Sequence, residues 1–180
     1  MASYRDRQRA HLDRASGLED RSASSDDRDL AAFDTLTGVY LRHTGLSLLE
    51  QEMDRARRDG KPLVVAFVDV DHLKRVNDSS GHAAGDALLV AVTTALRSEL
   101  RSYDAIMRYG GDEFVCVLPG MSGDDAAARL KLVNTALSRE ELSGSVTFGL
   151  AELLPDDTAR DVVGRADAAL YAERRASRGE

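Results

Sequence analysis

Short runs of β-forming residues alternate with stretches of helical periodicity along most of the chain. In residues 44–58, Leu46, Leu49 and Met53 lie three or four positions apart and Gly60-Lys61-Pro62 ends the pattern, which predicts a helix. Residues 63–68, LVVAFV, are continuously apolar, as in a central strand that is covered on both faces. Further helices are predicted over 122–139 and 158–175, from about 86 to 100, and in a short segment ending at Asp78.

Two glycines separate a pair of apolar runs in the middle of the chain. Residues 105–109 and 114–118 flank Gly110-Gly111, which predicts a β-hairpin with a glycine turn. A further strand is predicted over 145–151, and a loop around Gly81 and Gly85. The order of these elements predicts an α/β (α+β) domain, in which helices pack on a sheet that contains antiparallel strands.

Composition excludes several classes of protein. The chain has 180 residues, 24 Lys and Arg against 31 Asp and Glu, and a formal net charge of −7, which argues against a nucleic acid partner. One cysteine excludes a disulfide framework and a cysteine-based zinc site. No apolar run approaches the ~20 residues of a membrane span, and the first residues lack the apolar core of a signal peptide. We therefore expect a cytoplasmic protein with no membrane partner.

Acidic residues follow the predicted central strand in the segment Val68-Asp69-Val70-Asp71. A carboxylate at the end of a buried strand is costly unless it is paired or binds a metal ion. Alternatively, either aspartate caps the helix that follows.

A second group of carboxylates occupies the hairpin turn, in RYGGDEF at residues 108–114. Asp112 and Glu113 lead directly into an apolar strand, and the two glycines allow a ligand to approach the backbone. The alternative is a solvated hairpin tip. If the hairpin is a neighbour of the central strand, Asp69 joins these two residues, and carboxylates at such close range require a cation. Because Mg²⁺ held by a few carboxylates is typical of phosphate substrates, the pattern predicts phosphoryl or nucleotidyl transfer.

Several separately spaced segments resemble the diguanylate cyclase (GGDEF) family: DTLTG from Asp34, VDVDHLKRVNDSSGHAAGDALL, RYGGDEF and ADAALYAERRASR. The resemblance implies a fold like the nucleotidyl cyclases and the polymerase palm, with a central mixed sheet surrounded by helices and a β-hairpin that carries GGDEF. It also implies the condensation of two GTP into cyclic di-GMP with release of two pyrophosphates. Residues 33–180 would form this domain, and residues 1–32 a charged N-terminal tail or short signalling helix.

The resemblance implies a metal site and a catalytic group. By similarity, Asp69, Asp112 and the Val70 carbonyl bind Mg²⁺ (or Mn²⁺), two ions per active half-site, and Glu113 assists. Asp112 matches the position assigned as proton acceptor for the GTP 3′-hydroxyl, so Asp112 and Glu113 are the expected catalytic residues.

The resemblance also implies a substrate site. Phosphates would lie against Gly110, Gly111, Lys74 and the backbone of His72 and Leu73, with neutralising charge from Arg174 and Arg178, where Arg174 replaces the usual lysine. Guanine would contact Asn77 and Asp86, which are otherwise a helix-surface residue and an N-cap. His82 matches a position near the nucleotide, or is structural.

A regulatory site is implied by Arg101-Ser102-Tyr103-Asp104, which matches the family's RxxD product-binding site five residues before the signature. Cyclic di-GMP would bind Arg101 and Asp104 as an allosteric inhibitor; the alternative is an ordinary surface ion pair. Catalysis would require a homodimer of half-sites. The alternatives to a cyclase are a catalytically silent receptor for cyclic di-GMP or GTP, and a regulator that hydrolyses GTP without condensing it.

Overall fold

The computed structural model of the protein describes residues 32–139, 144–177 and 179. Its helices are α1 (Arg42–Asp59), α2 (Leu73–Ser80), α3 (His82–Glu99), α4 (Gly123–Leu137) and α5 (Ala159–Ser177). Its strands are β1 (Tyr40–Leu41), β2 (Leu63–Val70), β3 (Ala105–Arg108), β4 (Glu113–Pro119) and β5 (Val146–Glu152). The predicted tail or signalling helix, residues 1–32, lies outside the described residues except for residue 32 and remains a prediction.

The five strands form one mixed sheet in the order β1-β3-β4-β2-β5. β1 runs parallel to β3, and all other neighbours are antiparallel. β3 and β4 form the predicted hairpin with the glycines in its turn, and β2 is central, between β4 and β5. The predicted fold class, a mixed sheet with helices packed on it, is confirmed.

Helices cover both faces of the sheet, which is why β2 is apolar without interruption up to Asp69. All eight residues of β2 are buried. Val64, Ala66 and Val68 belong to one apolar cluster, together with residues of α3 and α4. Leu63, Val65 and Phe67 belong to a second cluster with residues of α1 and α5. Side chains alternate between the faces of a strand, so Asp69 lies on the same face as Phe67, toward α1 and α5.

The structure corrects the predicted boundary of α3. This helix begins at His82, four residues earlier than expected, and Gly85 lies inside it rather than in a loop. Gly81 alone breaks the chain between α2 and α3, with a left-handed φ of 83°. At Gly85 the absence of a side chain provides space, because a Cβ there would lie 1.9 Å from the Asn77 side-chain oxygen.

The two-residue strand β1 is absent from the predicted elements, since a strand this short has no periodicity to recognise. Within the described ranges, none of the helices combines the length and the hydropathy of a segment that crosses a bilayer.

Candidate functional site

Three acidic residues lie where β2 ends and β4 begins. Asp69 is the register partner of Glu113 across the two strands. The N–H of Val70 donates to the carbonyl of Asp112 at 3.0 Å, so the backbone of the turn is tied to the end of β2. The structure thus brings Asp69, Asp112 and Glu113 to one edge of the sheet, as expected for a central strand beside the hairpin.

Asp69 is 7% exposed and forms an ion pair with Arg174 of α5. Burial raises the pKa of Asp69 to about 6, although the adjacent Arg174 opposes this shift. The charges of Asp112 and Glu113 raise the pKa of Asp69 further. The group therefore has the electrostatics of a site that attracts cations, and Arg174 supplies one of them.

Neither aspartate of the 69–71 segment caps α2, so the capping alternative is wrong. The N-cap residue is His72, in the left-handed region at a φ of 61°, and its side chain makes no capping hydrogen bond. Asp71 instead accepts hydrogen bonds from the hydroxyls of Ser145 and Thr147, both at 2.7 Å. Asp71 also lies 3.9 Å from the Arg174 guanidinium, so the cation faces two carboxylates of this segment.

The glycine turn is closed by hydrogen bonds to its own strand. The N–H groups of Tyr109 and Gly110 both donate to the carbonyl of Glu113, at 2.8 and 3.2 Å. A Cβ on Gly110 would lie 2.4 Å from a carboxylate oxygen of Glu113, so a larger residue there would displace that carboxylate. Beside Gly111 the space is open. The first glycine therefore positions Glu113, and the second leaves the backbone accessible.

Arg108 joins the turn to the segment before β1. Its guanidinium donates to the Gly111 carbonyl at 2.8 Å and to both carboxylate oxygens of Asp34, at 3.1 and 3.2 Å. Asp34 in turn accepts from the N–H and hydroxyl of Thr37, at 2.9 and 2.6 Å. Burial raises the pKa of Asp34, but these hydrogen bonds and the Arg108 charge outweigh it, and the net pKa is lowered.

Two of the residues predicted to contact phosphates, His72 and Lys74, line a groove at α2. This groove, of about 510 Å³, is lined by His72, Lys74, Arg75, Asp78 and Ser79. Lys74 is exposed, whereas Leu73 is half-buried and packs against the core. Arg75 was not among the predicted residues, because a charged residue on an exposed helix face has no distinctive pattern.

The predicted guanine contacts lie on two adjacent helices. Asn77 of α2 packs against Gly85 of α3, immediately before the exposed Asp86. Asp86 is inside α3, so it is not an N-cap as the alternative required. His82 is exposed at the first position of the same helix. The structure therefore brings the predicted guanine-contacting residues to the α2–α3 junction.

Arg101 and Asp104 lie at the end of the hairpin opposite the glycine turn, just before β3. Asp104 is 8% exposed, and one of its carboxylate oxygens accepts the N–H of Arg101 at 2.8 Å. The other carboxylate oxygen finds no hydrogen-bond partner among the described residues. Arg101 lines a cavity of about 560 Å³, whose walls include Arg55, Lys61 and Tyr103. Since Arg101 and Asp104 are joined through the backbone N–H, the ordinary surface ion pair is not what the structure shows.

The acidic residues at this sheet edge have the chemistry of ligands for a divalent metal ion. The oxygens of Asp69, Asp112 and the Val70 carbonyl are the hard ligands that Mg²⁺ and Mn²⁺ prefer. Within the described residues, no three His, Cys, Asp or Glu side chains stand close enough together to enclose a metal as they are placed. Arg174 contacts Asp69 directly, so a metal ion at this carboxylate would displace the guanidinium. Arg178, the other predicted cation, lies outside the described residues.

Comparison with known families and structures identifies the class of protein. The family model "Diguanylate cyclase, GGDEF domain" matches residues 31–180, and the chain belongs to this family. Diguanylate cyclase DgcP of Pseudomonas aeruginosa is 36% identical over 184 residues, which cover 96% of this chain and 27% of DgcP. The chain therefore spans about a quarter of the length of that curated relative.

Two solved structures share the fold. Diguanylate cyclase SiaD of Pseudomonas aeruginosa, solved with its activator SiaC, has a TM-score of 0.76 and 35% identity, over 95% of this chain and 71% of SiaD. The GGDEF domain of DgcB of Caulobacter crescentus, solved with c-di-GMP, has a TM-score of 0.76 and 29% identity, over 81% of this chain and 89% of that one.

Proposed function

We propose that this domain is a diguanylate cyclase that condenses two GTP into cyclic di-GMP and releases two pyrophosphates. The observation that carries the proposal is the placement of Asp69, Asp112 and Glu113 at one sheet edge, where Arg174 pairs with Asp69. A buried carboxylate with two acidic neighbours favours a cation beside it, and nucleotidyl transfer uses divalent ions and cationic side chains against phosphate charge. Membership of the GGDEF family adds the substrate class.

The metal ligands would be Asp69, Asp112 and the Val70 carbonyl, assisted by Glu113, with two Mg²⁺ or Mn²⁺ per half-site. Such ions, when bound, neutralise phosphate charge and make the attacking hydroxyl more acidic. Asp112 would accept the proton of the 3′-hydroxyl. The hydrogen bond from Val70 to the Asp112 carbonyl and the closed turn hold this residue in place before substrate binds.

The substrate would extend from the glycine turn to the α2–α3 junction. Lys74, the N–H groups near His72 and Leu73, and the open backbone at Gly111 would hold the triphosphate, while Arg174, released from Asp69, would turn to phosphate oxygens. Asn77 and Asp86 would read guanine, since a carboxylate accepts from guanine N1–H and its amine, and adenine offers no such pair of donors. His82 would lie beside the nucleotide.

Each domain carries one such set of residues, so the reaction needs two domains facing each other. The 3′-oxygen of one GTP would attack the α-phosphorus of the other, in line with the departing pyrophosphate. Catalysis then consists mainly of positioning and charge neutralisation. Activity is therefore expected to depend on homodimer formation.

Cyclic di-GMP is also expected to bind at Arg101 and Asp104 and to inhibit the enzyme. The 560 Å³ cavity supports this on the Arg101 side, because Arg101 lies there beside Lys61 and Tyr103, a suitable partner for stacking. Arg55, also in the wall, pairs with Glu52 and Asp59, and Asp104 lines a separate, smaller cavity together with Arg101. The larger cavity also favours the second candidate function, a silent receptor. A ligand bound there would not touch the glycine turn, so binding would not depend on synthesis.

The test is incubation with GTP and Mg²⁺ over a range of protein concentrations, with products separated by chromatography. We expect cyclic di-GMP, formed at a rate per molecule that rises with concentration, and loss of product in D112N. D124N, which changes an exposed aspartate in the first turn of α4, is the matched control. Binding of cyclic di-GMP without any synthesis would favour the receptor, and pyrophosphate without cyclic product would favour the hydrolytic regulator.

A further inference from the structure

Arg42 and Tyr109 are 67 residues apart in sequence and in direct contact. β1 pairs with β3 so that Leu41 lies opposite Arg108. Arg42 and Tyr109 follow these two residues directly, so both leave the sheet at the same place. The guanidinium carbon of Arg42 lies 4.0 Å from the centroid of the Tyr109 ring. Arg42 also donates to the Tyr109 hydroxyl at 2.9 Å. A cation–π contact and a hydrogen bond thus join the first residue of α1 to the start of the glycine turn.

Tyr109 connects this contact to both strands that carry carboxylates. Its ring packs edge-on against Phe67, with centroids 5.3 Å apart, and Phe67 precedes Asp69 by two residues on the same face of β2. Its backbone N–H donates to the carbonyl of Glu113, which begins β4. A restraint on the Tyr109 ring is therefore a restraint on the turn and on its packing against β2.

The charge of Arg42 also acts on the carboxylate of Glu113. Burial and the charges of Asp112 and Asp167 raise the pKa of Glu113, whereas Arg174 and Arg42 lower it. The Glu113 carboxylate lies close to Gly110, the residue that follows Tyr109. Arg42, the first residue of α1, thus lowers the pKa of this carboxylate together with Arg174 of α5.

Nothing in helix α1 itself favours an arginine at position 42. This is the first residue of the helix, whose first turn contains no acidic residue and whose N-cap, Leu41, makes no side-chain hydrogen bond. A cation at a helix N-terminus is opposed by the helix dipole. The contact with Tyr109 is the interaction that offsets this cost.

We infer that Arg42 is a positioning residue, which holds Tyr109 and through it keeps the turn 109–113 in the geometry that Asp112 and Glu113 require. The restraint follows from the contacts alone, and its effect on rate rests on the proposed function. Arg108 holds the same turn through the Gly111 carbonyl, so two arginines act on it from different segments.

The first experiment measures the turn itself. Selective ¹⁵N-glycine labelling and NMR would compare the amide signals of Gly110 and Gly111 in the wild type, R42M, Y109F and R58M. Arg58 is an exposed arginine of the same helix, so R58M is the matched control. We expect both signals to shift and broaden in R42M, to change less in Y109F, which keeps the ring, and to match the wild type in R58M. If R42M fails to fold, Y109F decides by the same criterion. Turn signals that match the wild type in every folded variant would overturn the inference.

The second experiment measures the consequence for the reaction. In R42M we expect kcat to fall by about fivefold to tenfold with the KM for GTP within about twofold, and R42K to regain part of the loss. A kcat in R42M equal to that of R58M would contradict the positioning role. If the wild type makes no cyclic di-GMP, the proposed function fails, whereas the glycine signals still decide whether Arg42 restrains the turn.

Discussion

The β3–β4 hairpin has a buried carboxylate near each of its ends, and the two are held in different ways. At the turn end, Asp69 pairs with the Arg174 guanidinium and has Asp112 and Glu113 as neighbours. At the other end, Asp104 accepts a backbone N–H, and its second oxygen has no partner among the described residues. Burial raises the pKa of both Asp69 and Asp104.

The difference lies in how many elements supply charged groups. Around Asp69, the turn, β4 and α5 bring two more carboxylates and a cation, and the proposed metal ion would compete with that cation. Asp104 shapes a turn by hydrogen bonding within its own segment, and the charges of Arg101 and Arg129 only moderate the effect of burial on its pKa. We therefore expect changes at the turn end to affect chemistry, and changes at the other end to affect regulation and stability.

The largest expected effect is the loss of synthesis in D112N. Replacing this carboxylate removes the proposed proton acceptor and a metal ligand, so cyclic di-GMP formation should fall by about a thousandfold or more. Initial rates with saturating GTP and Mg²⁺ measure this, with D124N beside it as control. Retention of even a tenth of the wild-type rate would show that the turn end is not the catalytic end.

The second effect belongs to the opposite end. R101A removes a guanidinium that lines the 560 Å³ cavity, and the affinity for cyclic di-GMP should fall by about tenfold while the initial rate stays near the wild-type value. Inhibition curves with added cyclic di-GMP, together with calorimetric binding, measure both quantities. Inhibition identical to the wild type would remove the regulatory role from this end of the hairpin.

The third prediction tests whether Arg174 competes with a metal ion for Asp69. In R174M, Mn²⁺ should bind the nucleotide-free protein about fivefold more tightly, because a competing cation is removed from Asp69. Titration followed by Mn²⁺ electron paramagnetic resonance measures this affinity. K74M is the control, since Lys74 is a cation for which the structure shows no pairing with Asp69. Equal Mn²⁺ affinity in the two variants would mean that Arg174 does not compete with the metal ion.

The smallest effects concern stability and pH, and they have opposite signs at Asp104 and Asp34. The pKa of Asp104 in the folded protein lies above its ordinary 3.8. The free energy of unfolding therefore falls as the pH rises from 3.8 through the folded pKa, because the buried carboxyl group must ionise. D104N should therefore gain about 1 kcal/mol in the free energy of unfolding at pH 7 and lose that pH dependence.

The folded pKa of Asp34 lies below 3.8, so the stability that its carboxylate contributes is present above pH 3.8 and is lost as the pH falls further. D34N should lose about 2 kcal/mol at pH 7.

Urea unfolding at several values between pH 3 and pH 7 measures both variants against the wild type. A loss of stability in D104N at pH 7 would show that the Asp104 carboxylate is better satisfied than its hydrogen bonds indicate. Unchanged stability in D34N would mean that the ion pair with Arg108 does not hold the start of the domain to the turn.

Much of the fold and the site follows from local patterns. The continuous apolar run before Asp69 predicts a central strand, and Gly110-Gly111 between two apolar runs predicts the hairpin. Together they place the carboxylates of Asp69, Asp112 and Glu113 at one sheet edge. Such patterns can be recognised in a sequence because the periodicity of apolar side chains and the geometry of a turn depend on a few neighbouring residues.

Contacts across the sheet could not be predicted in the same way. No local pattern joins Arg42 to Tyr109, because their contact depends on the pairing of β1 with β3, and β1 is only two residues long. Likewise, the spacing of Arg101 and Asp104 does not reveal that the carboxylate is buried against a backbone N–H.

The amino-acid sequence by itself determined which segments become strands and helices, and which acidic residues end beside one another. Only the tertiary structure decided how those groups are held: Arg174 against Asp69, Asp71 against the hydroxyls of Ser145 and Thr147, and Tyr109 between Arg42 and Phe67. The physical reason is that periodicity acts over a few residues, whereas these partners are set by strand register and by helices that pack across a face of the sheet.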